Sequence, residues 1–125
     1  MRHDVAASTH ATMSANADAD PILRRATIAQ FTTPQQLSGG TRTLGWAAPT
    51  EGGSSGHYFS AHSFGHTGFT GTSIWIDPDR QLFVVLLTNR VHPTRENTKI
   101  QKVRVELHEA VMQALGFATV AAPAK

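Results

Sequence analysis

The sequence contains no cysteine, which excludes both a disulfide bond and a thiolate metal site. It also has no uninterrupted run of about 18 apolar residues, the length that a membrane-spanning helix requires. The opening residues Met1 to Asp4 are not followed by the apolar core of a secretory signal. We therefore expect neither a membrane span nor a signal peptide in this chain, and these absences leave its compartment open.

An excess of charge of one sign is lacking as well. The formal net charge is +2 with histidine neutral, and the densest basic region, residues 90–104, also contains Glu96. A nucleic-acid-binding surface is expected to gather its basic residues on one side, so we expect no nucleic-acid partner. No motif in the sequence indicates a cofactor.

Large apolar side chains are scarce in residues 1–20. We expect this segment to be a flexible lead-in, because it cannot bury enough surface to offset the loss of backbone entropy on folding. Residues 21–117 hold most of the large apolar side chains and are predicted to form the folded part. Residues 118–125 are expected to be a loose tail.

A helix is predicted near the start of the folded part. Asp20 and Pro21 suit its first turn, and it should end before Pro34, because a residue that precedes proline is pushed out of helical space. A short strand is expected over residues 44–48.

A β-hairpin is the clearest pattern in the middle of the chain. Residues 70–76 and 81–88 are predicted to be strands joined by a type I turn over residues 77–80. The continuous apolar run over residues 82–87 predicts burial on both faces of its strand.

A second helix is predicted near the C-terminus. It should begin at Thr98 with a capping-box contact from Gln101, and Gly116 should end it. Its apolar side chains recur at helical spacing and are expected to face the core. They are Ile100, Val103, Leu107, Val111 and Leu115.

Together these elements predict an α+β fold. We expect an antiparallel sheet of three or four strands flanked by N- and C-terminal helices that pack on one face of the sheet. So few elements offer little cover for the apolar residues 82–87. This indicates that part of the domain is missing.

Residues 63–72 combine three glycines with hydroxyl side chains and one histidine, directly before the hairpin. Glycine in a strand often marks the close approach of a ligand or of another backbone. A strand edge of this composition allows a substrate backbone to lie alongside it.

Within this stretch, His66-Thr67-Gly68 and the following residues 69–78 resemble the third conserved motif of the serine β-lactamase, penicillin-binding protein and esterase superfamily. In that family the motif usually begins with lysine, and histidine replaces it in many esterase-like and D-amino-acid peptidase-like members. Residues 86–93 are similar to the end of the next strand in the class C-like branch, and the resemblance covers residues 21–116. It implies the C-terminal portion of a β-lactamase/transpeptidase-like domain, whose relatives are often exported.

The resemblance also implies a role for each residue of the motif. His66 would orient the substrate and the proton network, Thr67 would offer its hydroxyl to a substrate carboxylate or carbonyl, and Gly68 would leave room for the acyl group. The backbone N–H of Phe69 would be one of two oxyanion-hole donors. Arg90, at the end of the next strand, is expected to fix a loop.

The family's nucleophile motif, Ser-x-x-Lys, does not occur here, because no serine stands three residues before any of the three lysines. The single tyrosine, Tyr58, is followed by Phe59-Ser60 and forms no Tyr-x-Asn motif. We therefore expect a fragment of a serine hydrolase that is inactive alone and lacks an N-terminal portion. The intact domain would act on an ester, a peptide or a β-lactam, and a mostly neutral histidine in place of lysine favours the first two.

Two other functions stay open. A non-enzymatic binding module would keep this half of the fold and pair with another chain, or with itself, along an open sheet edge. A metal binder would use His57, His62 and His66, although zinc sites usually require convergent ligands and a fourth donor.

Overall fold

The computed structural model describes residues 23–37 and 40–117. The expected lead-in, the predicted helix start at Asp20 and Pro21 and the tail of residues 118–125 lie outside these residues. None of the helices within them is long and apolar enough to cross a membrane. The elements in chain order are α1 (Arg25–Thr32), β1 (Gln35–Leu37), β2 (Gly40–Arg42), β3 (Phe64–Thr67), β4 (Ser73–Asp77), β5 (Leu82–Leu86) and α2 (Ile100–Ala114).

The strands confirm the predicted α+β class. Strands β3, β4 and β5 form an antiparallel sheet in that order, while β1 and β2 form a separate antiparallel pair. Helix α1 ends at Thr32, before Pro34 as predicted. The predicted hairpin is the β4–β5 pair, and all five residues of each strand are in register.

The first strand of the hairpin begins at Ser73 rather than at residue 70. Residues 70–72 instead belong to a tight loop, in which the Gly68 N–H donates to the Thr72 carbonyl at 2.8 Å and the Gly71 N–H donates to the Gly68 carbonyl at 3.1 Å. Gly71 adopts a φ of +110°, which glycine reaches without the steric cost that a side chain would bring.

The connection from β4 to β5 depends on a side chain rather than on the predicted type I turn. The Asp77 carboxylate accepts the Arg80 N–H at 3.2 Å, and the backbone turn bond comes one residue later, from the Gln81 N–H to the Pro78 carbonyl at 3.3 Å. Gln81 takes a φ of +51°, a left-handed conformation that costs about 1–2 kcal/mol for a residue with a side chain.

The hydrophobic core lies on one face of this sheet. Trp75 of β4 and Val84 of β5 pack against Met112 of α2 and against Phe59 from the loop that precedes β3. Trp75 is almost fully buried, and the Phe59 ring lies 5.9 Å from it, centroid to centroid. This cluster fixes α2 against the sheet.

The opposite face of β5 is exposed. Phe83, Val85 and Leu87, which we call the open face, are 48%, 43% and 71% exposed. The predicted burial of residues 82–87 on both faces is therefore wrong within the described structure. The physical reason is that α2 covers only one face of β5, and no second described layer covers the other.

Helix α1 lies on the other face of the sheet from α2. Ile28 and Phe31 of α1 line a cavity of about 220 Å³ together with Phe64 of β3 and Ile76 of β4. Successive side chains of a strand point to opposite faces, so Ile76 lies on the face opposite to Trp75, which faces α2. The two helices therefore flank the sheet, as expected, but on opposite faces. The prediction that both would pack on one face is wrong, because the strands carry apolar side chains on both sides.

The face that α2 turns toward the sheet differs from its most apolar side. Its buried residues recur every four positions, which places them in one row along the helix. Val103 and Leu115, both predicted to face the core, are 41% and 51% exposed. The buried row consists of Ile100, Arg104, His108 and Met112.

Two local predictions are wrong because backbone groups find other partners. The capping box from Gln101 does not form, and the Asn97 side chain instead accepts the Lys99 N–H at 2.9 Å. Residues 44–48 form a bend and two isolated β-bridges at Ala47, to Arg42 and to Gly65, rather than a strand, since Gly45 reverses the chain with a φ of +88°.

The predicted end of α2 is confirmed. Gly116 has a φ of +77°, its N–H donates to the Gln113 carbonyl at 3.0 Å, and the Phe117 N–H donates to the Met112 carbonyl at 2.8 Å. This is the Schellman arrangement, which satisfies the last carbonyls of a helix.

His108 makes the stability of this fold depend on pH. Burial lowers the pKa of its imidazole below the ordinary value of 6.5, and nearby Arg104 acts in the same direction, against the opposing effect of the Ser54 carbonyl. The unfolded chain therefore binds more protons than the folded one as the pH falls below that value, and stability is lost in that range. We therefore expect the urea concentration at the midpoint of unfolding to decrease when the pH is lowered from about 7 to about 5.

The matched variant is His108→Gln, which removes the titrating group. Its unfolding midpoint should change less over the same pH range than that of the unsubstituted protein. Equal pH dependence in the two proteins would contradict this role for His108.

Candidate active site

The His66-Thr67-Gly68 motif lies where β3 ends, at an edge of the sheet. Gly65 exchanges two backbone hydrogen bonds with Ala47 across the outer side of β3, at 2.8 and 3.0 Å. Because the backbone groups of successive strand residues point alternately to the two sides, Thr67 presents its N–H and C=O to that same outer side. An extended peptide can add to such an edge as a further strand.

Glycine is required at position 65 by close packing. A Cβ there would lie 2.4 Å from Cδ2 of Trp75 and 2.5 Å from the Ile74 carbonyl oxygen, far inside van der Waals contact. Gly68 is constrained less, since the one close atom to a Cβ would be the rotatable hydroxyl Oγ1 of Thr72 at 2.2 Å. Gly65 therefore holds the edge strand close to β4.

The His66 ring is exposed and oriented by the backbone beside it. Its Nδ1 lies 3.0 Å from the Thr67 carbonyl oxygen. A carbonyl can only accept a hydrogen bond, so Nδ1 carries the proton and donates it. In the neutral imidazole, Nε2 is then the basic nitrogen, free to accept a proton from a group in front of the edge.

The loop of residues 68–72, which follows the motif, is held by two arginines. Nη2 of Arg104 donates to the Gly68 and Thr72 carbonyls, each at 2.8 Å. Nε of Arg90 donates to the Phe69 carbonyl at 2.8 Å, and its guanidinium lies 4.4 Å from the centroid of the Phe69 ring. Arg90 therefore fixes a loop, as predicted from the sequence.

A cavity of about 300 Å³ opens between this loop and the start of α2. Among the described residues, no carboxylate forms an ion pair with Arg90 or Arg104. Burial, followed by the nearby charge of Arg90, lowers the pKa of the Arg104 guanidinium. The cavity is thus polar and positively charged. Its lining consists of Thr67, Gly68, Phe69, Arg90, Thr98, Ile100, Gln101 and Arg104.

The segment before β3 is anchored by Asp77, which is fully buried. Its carboxylate accepts hydrogen bonds from the Ser60 N–H at 3.0 Å, from the Ser60 hydroxyl at 2.8 Å and from Nη1 of Arg80 at 2.7 Å. Burial alone would raise its pKa, but these bonds outweigh burial and lower it. Asp77 therefore remains ionised and fixes the approach to the motif.

The three histidines considered as metal ligands do not converge. His57 pairs with Glu109, His62 pairs with Asp79 at 2.9 Å, and His66 bonds the backbone. Within residues 23–37 and 40–117, no three histidine or acidic side chains are grouped closely enough to hold a metal ion.

Arg104 is the residue beside the motif that the sequence did not indicate. The helical apolar pattern assigned the core-facing side of α2 to residues such as Val103, which leaves Arg104 outside it. The sequence feature that could have indicated Arg104 is the spacing of four residues that places it in one row with Ile100 and Met112, both of which are buried.

The antiparallel sheet between two helices is similar to part of a β-lactamase fold. A crystal structure of a β-lactamase from Mycobacterium bovis matches this chain with a TM-score of 0.60 and 25% sequence identity. The match covers 74% of this chain and 38% of that structure.

The Beta-lactamase family model matches residues 4–108, so the chain belongs to the β-lactamase family. Relatives in Salmonella gallinarum and Salmonella newport, both provisionally named D-alanyl-D-alanine carboxypeptidase, are 40% and 37% identical to it over 81 and 79 residues. Each alignment covers 59% of this chain but only 18% of the relative, so the match spans about a fifth of that protein. The family resemblance is confirmed, while the roles of His66, Thr67, Gly68 and Phe69 stay predictions.

The packing of Gly65 gives a direct test of the edge geometry. We expect Gly65→Ala to destabilise the protein by about 1–3 kcal/mol, because the added methyl group forces β3 away from Trp75. Urea unfolding followed by tryptophan fluorescence measures this change. The control is Lys102→Ala on α2, where the side chain is 80% exposed and its truncation leaves the packing of the sheet unchanged. If Gly65→Ala is no more destabilising than the control, β3 does not pack on Trp75 as described.

Proposed function

We propose that this chain forms one wall of the active site of a serine hydrolase that works through an acyl-enzyme. The observation that carries the proposal is the end of β3 beyond the Gly65–Ala47 pair, where the outer edge has no strand partner among the described residues. There Thr67 presents backbone groups to an incoming strand, His66 presents Nε2, and the Phe69 N–H has no acceptor among the described residues. These groups suit a substrate carbonyl whose oxygen becomes negatively charged.

In this proposal each group has a distinct task. The Phe69 N–H donates to the developing oxyanion, a type of contact whose loss costs about 3 kcal/mol in the transition state. The His66 Nε2 takes or returns a proton in front of the edge. The nucleophile and its lysine come from a portion of the domain outside this sequence, since no Ser-x-x-Lys motif occurs in it.

The charge near the motif favours a substrate that carries a carboxylate. Arg90 and Arg104 place two cations beside Thr67 with no acidic side chain paired to them in the described structure, and the cavity they line is large enough for a small anionic group. The relatives' provisional name, D-alanyl-D-alanine carboxypeptidase, refers to peptides that end in such a group. We therefore propose a short peptide with a free C-terminal carboxylate, with esters and β-lactams as related substrates.

Binding of such a peptide can be measured without a nucleophile. We expect N-acetyl-D-alanyl-D-alanine to shift the amide resonances of Thr67 and Phe69 in 15N-labelled protein, with a dissociation constant of about 1 mM or weaker. The C-terminally amidated peptide should bind less well. Thr67→Val, which removes one hydroxyl at constant shape, should weaken binding about fivefold.

The same preparations are expected to hydrolyse neither a chromogenic ester nor a cephalosporin. Turnover by the purified chain that His66→Ala abolishes would show that it carries its own nucleophile. If the peptide with a free C-terminal carboxylate and the amidated peptide bind equally well, the proposed recognition of the carboxylate is wrong.

A pairing module is the second candidate function, and the open face favours it. β5 is the last strand of the described sheet, so its unpaired backbone groups are a template for another strand, and the exposed apolar side chains of Phe83 and Val85 add surface that a partner would cover. If the chain self-associates through β5, Val85→Lys should convert the dimer to a monomer in sedimentation velocity. Val103→Lys on α2, at a similarly exposed valine, serves as the control. A strictly monomeric unsubstituted protein would exclude self-pairing.

A further inference from the structure

Arg104 is unusual for a helix residue that faces a sheet. It is 8% exposed, no described carboxylate pairs with it, and its Nε has no hydrogen-bond partner among the described residues. Burying a guanidinium in this way costs stability that an apolar side chain of similar length would not cost. What the arginine provides is a pair of charge-assisted hydrogen bonds from one nitrogen to the Gly68 and Thr72 carbonyls.

These two carbonyls mark the two ends of the loop of residues 68–72. The Thr72 carbonyl also accepts the Gly68 N–H, and the Gly68 carbonyl also accepts the Gly71 N–H. Arg104 therefore donates to the same two carbonyls that accept the backbone hydrogen bonds within the loop. Both bonds come from the single nitrogen Nη2 at the far end of the side chain. Lysine could supply the charge, but its ammonium ends on a shorter side chain.

The Gly68 carbonyl belongs to the same peptide group as the Phe69 N–H. In a trans peptide the N–H and the C=O point in opposite directions. A cation that holds the Gly68 carbonyl from the α2 side therefore directs the Phe69 N–H away from α2. It also polarises the peptide, which makes its N–H a stronger donor.

Arg90 fixes the other side of Phe69. Its Nε holds the Phe69 carbonyl, and its guanidinium stacks on the Phe69 ring. The peptide groups before and after Phe69 are thus each held by one arginine through their carbonyls. The Phe69 N–H, which belongs to the first of these groups, has no intramolecular acceptor in the described structure.

We propose that Arg104 is the positioning residue of the oxyanion-hole donor, because it orients and polarises the Gly68–Phe69 peptide from beneath the loop. The proposal rests on the function proposed above for the Phe69 N–H. Arg104 does not contact the reacting atoms. It acts through the peptide that does, and this explains a buried cation in a helix face that packing alone would fill with an apolar side chain.

The test measures the peptide itself, in unliganded protein labelled with 13C and 15N. In the unsubstituted protein we expect a scalar coupling across the hydrogen bond from the Arg104 guanidinium to the Gly68 carbonyl carbon. We also expect an order parameter of about 0.85 for the Phe69 N–H, the value of rigid backbone. In Arg104→Gln the coupling is lost, the Gly68 carbonyl resonance moves upfield, and the Phe69 order parameter falls below about 0.6.

Two further variants separate positioning from general stability. Arg104→Lys should restore part of the Gly68 carbonyl shift, through its charge, but not the rigidity of Phe69. Lys102→Gln, on the exposed side of the same helix, should leave both signals unchanged. If Arg104→Gln does not fold, the coupling and the order parameter of the unsubstituted protein decide the matter, and their absence overturns the proposal.

A folded Arg104→Gln protein with an unchanged Gly68 carbonyl resonance and a rigid Phe69 would also overturn it. These measurements use no ligand, so they are independent of the peptide titration. Failure of that titration with an intact Arg104–Gly68 coupling would remove the proposed function and leave the loop geometry in place.

Discussion

The contact between Trp75 and Gly65 is the constraint on which the rest of the structure depends. Trp75 occupies the space that a side chain at position 65 would fill, and it packs on its other side against Phe59 and Met112. One residue therefore sets the distance from β3 to β4 and from the sheet to α2. Because β3 carries the motif and α2 carries Arg104, the same packing brings the loop of residues 68–72 over the guanidinium that holds it.

Polar groups rather than apolar ones determine the details around this core. Asp77 ties the segment before β3 to the turn after β4, His108 ties α2 to the Ser54 carbonyl, and Arg104 ties α2 to the loop after the motif. Each of these side chains is buried and reaches a partner far away in sequence. Such bonds are expensive to leave unmade in the interior, so they specify one arrangement of segments that apolar packing alone would leave less defined.

The open face leaves one side of β5 without cover in the described structure. Phe83, Val85 and Leu87 form an apolar row on β5 that no described residue covers, and the chain matches 38% of the Mycobacterium bovis β-lactamase structure. The prediction that this apolar run would be buried on both faces is therefore wrong within the described residues.

Local patterns in the sequence determined much of this protein. A continuous apolar run and turn residues predicted the β4–β5 hairpin, helical spacing and Gly116 predicted α2 and its end, and the His66-Thr67-Gly68 motif indicated the family. These features are readable because each depends on residues only a few positions apart. Only the tertiary structure decided which row of α2 is buried, which faces the helices cover, and that Arg104 lies beneath the Gly68 carbonyl. Those outcomes depend on contacts between residues more than 30 positions apart, which no local spacing records.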